Sequence, residues 1–206
     1  MITQPPNLYH QQLARLIEAR IGIAVMTKLQ HVFADVLHQH AKDDLSAYLQ
    51  RLSSTTYSDP DWQMVIQTLT IGETYFMREK AHFDLLAHQI LPTLIQKRRE
   101  SGNLYLNIWS AGCATGEEAY SIAILLHELL PDIDQWHIHL LGTDLNAQFL
   151  ASARLGVYRE WAFRQVDTVF KHRYFAPVAG GWRILPQVAG LVSFLLANLL
   201  DQMPAS

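Results

Sequence analysis

The chain has 206 residues, of which 50% are hydrophobic and 17% charged, enough to bury a core as one large domain or two small ones. Lys and Arg total 16 and Asp and Glu total 19, so the formal charge of −3 argues against a general nucleic-acid binder. Cys113 is the single cysteine, which excludes an intramolecular disulfide framework and a zinc site built on several cysteines. No stretch approaches about 18 uninterrupted apolar residues and no signal-peptide pattern is evident, so we expect a cytoplasmic protein.

The first half of the sequence has the apolar spacing of helices. The amphipathic patterns are Leu13, Leu16, Ile17 and Ile21, a run from Trp62 to Leu69 preceded by Asp59 and Asp61, and Phe83, Leu86, Ile90 and Leu94 before a basic cluster at 97–99. Cations near a helix C-terminus suit the negative end of its dipole. These patterns predict an all-helical N-terminal domain over residues 1–100.

The pattern changes after the turn signal at 101–103. A β-prone run at 104–109 is followed by a loop of small residues at 110–116, a helix at 117–130, a strand at 137–144 and a helix at 147–155. This order is typical of a parallel βαβ unit and predicts an α/β domain over residues 101–206. Residues 182–185 and 191–196 are predicted to be further strands.

Two features would meet at the carboxyl ends of the predicted parallel strands, where α/β sheets bind ligands. The small residues from Gly112 to Gly116 allow close approach of the backbone to a ligand. Asp144 ends the second strand, and its carboxylate can accept hydrogen bonds from two ribose hydroxyls. The loop lacks both G-x-G-x-x-G and a Walker A lysine, which disfavours a dinucleotide or a nucleoside triphosphate. S-adenosylmethionine, which has adenosine but no phosphate, fits better.

The stretch IWSAGCATGEEAYS at 108–121 resembles the cofactor motif of the chemoreceptor glutamate methyltransferases, the CheR family. Three further stretches resemble that family in the same order: TIGETYFMRE at 70–79, LGTDLN at 141–146 and FLLANLLD at 194–201. The resemblance runs from about residue 10 to residue 201. It implies a small N-terminal helical domain, then a Rossmann-like methyltransferase domain with a small antiparallel β insertion in or near which residues 182–196 would lie.

The resemblance also implies the reaction and its participants. The methyl group of S-adenosylmethionine would be transferred to glutamate side-chain carboxylates on the cytoplasmic helices of methyl-accepting chemoreceptors, giving a methyl ester and S-adenosylhomocysteine. Arg78 would be the catalytic residue, and no metal is expected. The implied cofactor-binding residues are Thr74, Arg78, Ala111, Gly112, Gly116, Glu118, Asp144, Asn198 and Leu199.

Several of these residues also have simpler explanations. Asp144 could cap the following helix, and Glu118 could be an acid favoured by the dipole of the first helical turn, as we expect for Glu117. Arg78 could form a surface salt bridge with Glu73 or Asp84. Thr74 could cap a helix, and the glycines could belong to an ordinary tight turn.

The sequence departs from the family pattern in two places. Gly72 replaces a polar residue, commonly asparagine, so one side-chain contact would be missing or taken by backbone. The family's next segment, F-D-x-I-x-C-R-N-V-x-I-Y-F, does not follow residue 201, so we expect a C-terminally truncated and impaired enzyme. The first strand would then be an open sheet edge that favours homo-oligomers. The alternative is a non-catalytic binding module of a sensory pathway with a vestigial cofactor site. An NAD-dependent oxidoreductase is disfavoured by the loop.

Overall fold

A computed structural model describes residues 8–24 and 44–201. The chain divides into two compact units. Among the described residues, the first unit contains 8–24, 44–71, 145–147 and 196–201, and the second contains 72–144 and 148–195. No helix in the described ranges is both long and apolar enough to cross a membrane.

In its described residues, the first unit contains three helices: α1 (Leu8–Ile21), α2 (Leu45–Ser54) and α3 (Pro60–Leu69). Asp44 accepts a hydrogen bond from the backbone of Ala47 at the start of α2, and Asp59 caps α3 in the same way. The core contains Leu13, Ile17, Ile21, Tyr48, Leu52, Trp62, Val65 and Ile66. The apolar patterns found in the sequence therefore mark the buried faces of α1 and α3.

The second unit begins with a helical stretch that contains a π turn. Its parts are α4 (Lys80–Leu85), the π turn (Leu86–Ile90) and α5 (Leu91–Glu100). Phe83 is buried as predicted, but Ile90 is 47% exposed and the buried residues of α5 are Leu91 and Ile95. A π turn takes up an extra residue, so the apolar face beyond it is displaced by one position.

The buried face of the helical stretch at 80–100 explains where the two units divide. Phe83, Leu91 and Ile95 belong to the same hydrophobic core as Leu106 and Leu126 of the sheet-bearing part of the chain. The helical stretch at 80–100 is therefore part of the second unit. The division falls between residues 71 and 72, not near residue 100 as expected from the change of pattern.

The main sheet contains the predicted βαβ unit. Strand β1 (Tyr105–Ala111) is followed by α6 (Glu117–Leu129), and β2 (His137–Asp144) by α7 (Ala147–Leu155). β1 pairs with β2 in parallel, from Tyr105 opposite His137 to Ala111 opposite Thr143. β6 (Val192–Leu196) lies on the other side of β2, which leaves β1 at the edge of this sheet within the described residues.

A small antiparallel sheet interrupts the chain between α7 and β6. It consists of β3 (Val157–Tyr158), β4 (Phe175–Val178) and β5 (Gly181–Ile184), in the order β3-β5-β4. Short helices connect them: a 3-10 turn (Glu160–Phe163), α8 (Thr168–Tyr174) and α9 (Pro186–Ala189). The predicted insertion is confirmed. However, the strand predicted at 191–196 belongs to the main sheet and not to the insertion.

Candidate functional site

The small-residue loop and Asp144 are in direct contact. The backbone carbonyl of Thr143 accepts hydrogen bonds from the amides of Gly112 and Cys113, at 2.8 and 2.9 Å. Oδ2 of Asp144 accepts one from the amide of Ala114 at 2.8 Å. Because β1 and β2 are neighbouring parallel strands, their carboxyl ends place the loop beside the acid. The structure therefore brings together the two features that the sequence singled out.

Positions 112 and 116 of this loop require glycine for different physical reasons. Both have positive φ, +74° at Gly112 and +95° at Gly116, which side-chain-bearing residues rarely adopt. A Cβ at Gly112 would have no atom within 4 Å, so this face of the loop is open. A Cβ at Gly116 would lie 2.8 Å from Cβ of Ala153. Gly112 thus leaves room for a ligand, whereas Gly116 permits close packing of the loop on α7.

Two adjacent acids begin α6 and have opposite environments. Glu118 is exposed and its Oε1 accepts a hydrogen bond from Oγ of Ser110 at 2.6 Å. Glu117 is only 4% exposed, and its Oε2 accepts one from Oγ1 of Thr115 at 2.6 Å. The expectation that Glu117 is a surface acid is wrong. Burial raises the pKa of its carboxyl, although the Thr115 hydroxyl and the charge of Arg164 oppose this shift.

We expect Glu117→Gln to stabilise the protein at neutral and alkaline pH. A carboxyl with a raised pKa stabilises the fold below its unfolded value of 4.5, and this contribution is lost as the pH rises through the folded-state pKa. Glutamine keeps an acceptor for the Thr115 hydroxyl without a buried charge. Calorimetric melting should therefore give a higher Tm for the variant at pH about 8, and the difference should shrink on acidification. A lower Tm at alkaline pH would mean that attraction to Arg164 outweighs desolvation.

The segment from Thr74 to Arg78 is fixed by its middle residues. The Phe76 side chain is fully buried against Tyr158, Phe163 and Phe175, with ring centroids 4.8–5.2 Å apart. The Phe76 amide donates to the carbonyl of Ala162 at 3.0 Å, and the Met77 amide to Oγ of Ser121 on α6 at 3.1 Å. Thr74, half-buried, does not cap a helix, because α4 begins at Lys80.

Arg78 is exposed and forms neither of the two surface salt bridges considered for it. Its guanidinium donates to the backbone carbonyl of Glu73 and lies 5.8 Å from the ring centroid of Tyr75. Asp84 pairs instead with Lys80 at 2.6 Å.

The Glu73 side chain pairs with Arg164 at 3.5 Å. The guanidinium carbon of Arg164 lies 3.5 Å from the ring centroid of Tyr75 and 4.2 Å from that of Trp161. No local sequence pattern indicates this stack, because it joins Arg164 to Tyr75, a residue far away in the chain.

Gly72 is packed against a residue that sequence analysis did not single out. A Cβ at Gly72 would lie 2.6 Å from Cζ of Phe149 and 2.9 Å from its Cε1. The phenyl ring of Phe149 therefore fills the space that a side chain at position 72 would need. This accounts for the glycine where the family commonly has asparagine.

Asn198 and Leu199 lie in the first unit. Asn198 is 3% exposed, and its Nδ2 donates to the carbonyl of Arg20 at 2.7 Å while its Oδ1 accepts from the amide of Leu200 at 3.1 Å. Leu199 is 58% exposed. Asn198 thus holds its own segment against the end of α1. A role of these two residues in binding the cofactor stays a prediction.

Cys113 should not react with thiol reagents while the protein is folded. Its side chain is 1% exposed, and burial raises the pKa of the thiol to about 12, helped by the nearby charge of Asp144. Iodoacetamide at pH about 8 should leave the mass of the native chain unchanged and add one label after unfolding in urea. Rapid stoichiometric labelling of the native chain would contradict the burial of the Cys113 side chain.

The residues at this site fit S-adenosylmethionine. The open face at Gly112 leaves room beside the loop, and the carboxylates of Asp144 and Glu118 can accept hydrogen bonds from ribose hydroxyls and an ammonium group. In the described ranges, no group of three or more His, Cys, Asp or Glu could hold a metal ion. Fold and site together define an α/β domain for an adenosine-containing cofactor.

Comparison with known proteins identifies the family. The model of the CheR methyltransferase SAM-binding domain matches residues 72–206. A chemotaxis protein methyltransferase of Borreliella burgdorferi is 29% identical over 205 residues, covering 95% of this chain and 72% of the relative. The chemotaxis protein methyltransferase of Escherichia coli is 31% identical over 203 residues, covering 94% and 67%. A probable biofilm formation methyltransferase of Pseudomonas aeruginosa, WspC, is 31% identical over 199 residues, covering 93% and 44%.

The chain belongs to the CheR methyltransferase family. The family domain is a S-adenosylmethionine-binding methyltransferase domain, and its match begins at residue 72, where the second structural unit begins. The chain spans between 44% and 72% of the lengths of these relatives. The resemblance drawn from the four sequence motifs, and S-adenosylmethionine as the cofactor, are confirmed.

Proposed function

We propose that this chain transfers the methyl group of S-adenosylmethionine to glutamate side-chain carboxylates of methyl-accepting chemoreceptors, on their cytoplasmic helices. The observation that carries the proposal is the contact between Asp144 and the loop at Ala114, beside the open face of Gly112. An acid at the end of the second parallel strand, next to a loop of small residues, suits the ribose of a cofactor without phosphate. The chemotaxis methyltransferases among the relatives support the receptor as substrate.

The reaction needs little acid–base catalysis from the protein. When bound, S-adenosylmethionine supplies a methyl group on a sulfonium, which is a good leaving group. A glutamate carboxylate is ionised near neutral pH and needs no general base. What the side chains must supply is orientation of the two reactants and exclusion of water, which is worth up to about 7–11 kcal/mol in ideal cases.

We assign these tasks to residues of the second unit. Asp144 binds the ribose hydroxyls, and Glu118 orients the amino acid part or the ribose of the cofactor. Ala111, Gly112 and Gly116 let the backbone approach it. Arg78, whose guanidinium is exposed, forms a bidentate pair with the substrate carboxylate or with that of the cofactor. Thr74 contacts the cofactor from the segment that Phe76 anchors.

The proposal can be tested by methyl transfer to receptor-bearing membranes. The chain, cofactor labelled in the methyl group and the membranes are incubated together, and the receptor is then treated with alkali. A glutamate methyl ester releases labelled methanol under these conditions, whereas an N-methyl product does not. Labelled methanol supports the proposal, and alkali-stable label would contradict it.

Variants of Arg78 provide the matched control. Arg78→Lys keeps a cation but not the planar fork and should retain part of the activity, whereas Arg78→Ala should lose most of it. Binding of S-adenosylhomocysteine without any methyl transfer would favour the alternative, a non-catalytic module of a sensory pathway.

A further inference from the structure

Gln63 is a buried polar side chain that binds a distant segment of the chain. It lies on α3 and is 7% exposed. Its Nε2 donates to the carbonyl of Tyr57 at 2.7 Å and to that of Leu145 at 3.1 Å. Its Oε1 accepts from the amide of Ala147 at 2.8 Å. One glutamine therefore uses both ends of its amide, and two of its three partners lie more than 80 positions away in sequence.

The segment at 145–147 is held by further contacts within the first unit. The side chain of Leu145 packs against the core of this unit. Asn146 is 1% exposed, and its Nδ2 donates to Oγ1 of Thr70 at 2.9 Å. Each of the three residues that follow Asp144 thus has at least one fixed partner in the helical unit.

Burying a glutamine side chain costs free energy that burying an apolar side chain does not. A buried amide loses its hydrogen bonds to water, and this cost is offset only when its donors and acceptor are all satisfied. An apolar side chain of similar length would fill the same volume without that cost. The three hydrogen bonds are therefore best explained by the need to hold particular backbone groups, the carbonyl of Leu145 and the amide of Ala147.

These backbone groups directly follow the proposed ribose ligand. Before Asp144, the chain is fixed by the pairing of β2 with β1 and by the bonds of the Thr143 carbonyl to the loop. After Asp144, it is fixed by Gln63. The backbone on both sides sets the direction of the Asp144 side chain. We propose that Gln63 is a positioning residue for the cofactor and acts through Asp144; this inference rests on the proposed role of Asp144.

Calorimetric titration with S-adenosylhomocysteine tests the proposal on four proteins: the unaltered chain, Gln63→Met, Asp144→Ala and the double variant. Gln63→Met keeps the length of the side chain and removes its three hydrogen bonds. We expect it to weaken binding roughly tenfold, the effect of about one lost buried hydrogen bond. In the double variant, Gln63→Met should cause no further loss beyond that of Asp144→Ala, because it acts through the missing carboxylate.

The neighbouring Trp62 supplies the control for a merely structural role. Its side chain is fully buried in the same core, and its Nε1 donates to the carbonyl of Leu52 at 2.9 Å. Trp62→Phe should lower the Tm and leave the affinity for S-adenosylhomocysteine unchanged below the melting transition.

The outcomes separate the inference from the proposed function. Weaker binding by Gln63→Met that disappears in the Asp144→Ala background supports the inference. Unchanged affinity of Gln63→Met, an additive loss in the double variant, or an equal loss in Trp62→Phe would overturn it while leaving the cofactor site intact. Unaltered chain that does not bind S-adenosylhomocysteine, or binding that Asp144→Ala leaves unchanged, would overturn both.

Discussion

Replacing Asp144 with alanine should weaken the binding of S-adenosylhomocysteine by about 100-fold or more. Two hydrogen bonds from ribose hydroxyls to a charged carboxylate would be lost, each worth about 1.5–3 kcal/mol. The amide of Ala114 would also lose its acceptor at 2.8 Å, so the loop that faces the cofactor would keep only the hydrogen bonds of Gly112 and Cys113 to the Thr143 carbonyl of β2. Isothermal titration calorimetry on the unaltered chain and the variant measures the change.

Asp144→Asn is the matched control for this prediction. It keeps a side-chain oxygen that can accept from the Ala114 amide, but it has no charge and only one acceptor. Its affinity should therefore lie between those of the unaltered chain and the alanine variant. If both variants bound as tightly as the unaltered chain, Asp144 would have only a structural role, such as accepting the hydrogen bond from the Ala114 amide.

Restoring the family's asparagine at position 72 should destabilise this protein. The Cβ of Gly72→Asn would lie 2.6 Å from Cζ of Phe149, well inside van der Waals contact, so the ring or the backbone must move. Overpacking of this kind costs about 1–3 kcal/mol. Urea unfolding should show a lower midpoint with an unchanged m value.

We attribute the destabilisation by Gly72→Asn to the ring of Phe149, so removing the ring should restore most of the lost stability. In the Phe149→Ala background, Gly72→Asn should cost much less stability than it does alone, because the asparagine then occupies the space left by the ring. Equal costs in both backgrounds would show that backbone conformation at position 72, and not Phe149, excludes a side chain.

The elements whose sequence pattern is local could be predicted from the sequence alone. The βαβ unit follows from two β-prone runs, a loop of small residues and an apolar helix, and the structure has β1, α6 and β2 within a residue or two of the predicted positions. The pairing of the Thr143 carbonyl with the loop follows from that topology, since parallel neighbours end at the same edge.

Other features depend on contacts between residues far apart in sequence. The π turn displaced the buried face to Leu91 and Ile95, and no pattern in the sequence marks such a turn. Glu117 and Glu118 are identical residues in the first turn of α6, and only tertiary packing makes one buried and the other exposed. No sequence pattern indicated a role for Gln63, because two of its hydrogen-bond partners, Leu145 and Ala147, lie far away in the chain.

The stack of Tyr75, Arg164 and Trp161 has a practical consequence. Trp161 is the most exposed of the five tryptophans, at 68%, and its indole touches a cation that also touches the segment carrying Thr74 and Arg78. Indole emission responds to nearby charge and water, so a shift of Tyr75 would change the fluorescence of Trp161. Subtracting the spectrum of Trp161→Phe isolates that signal. The chain thus carries its own optical reporter for this segment, with no label attached.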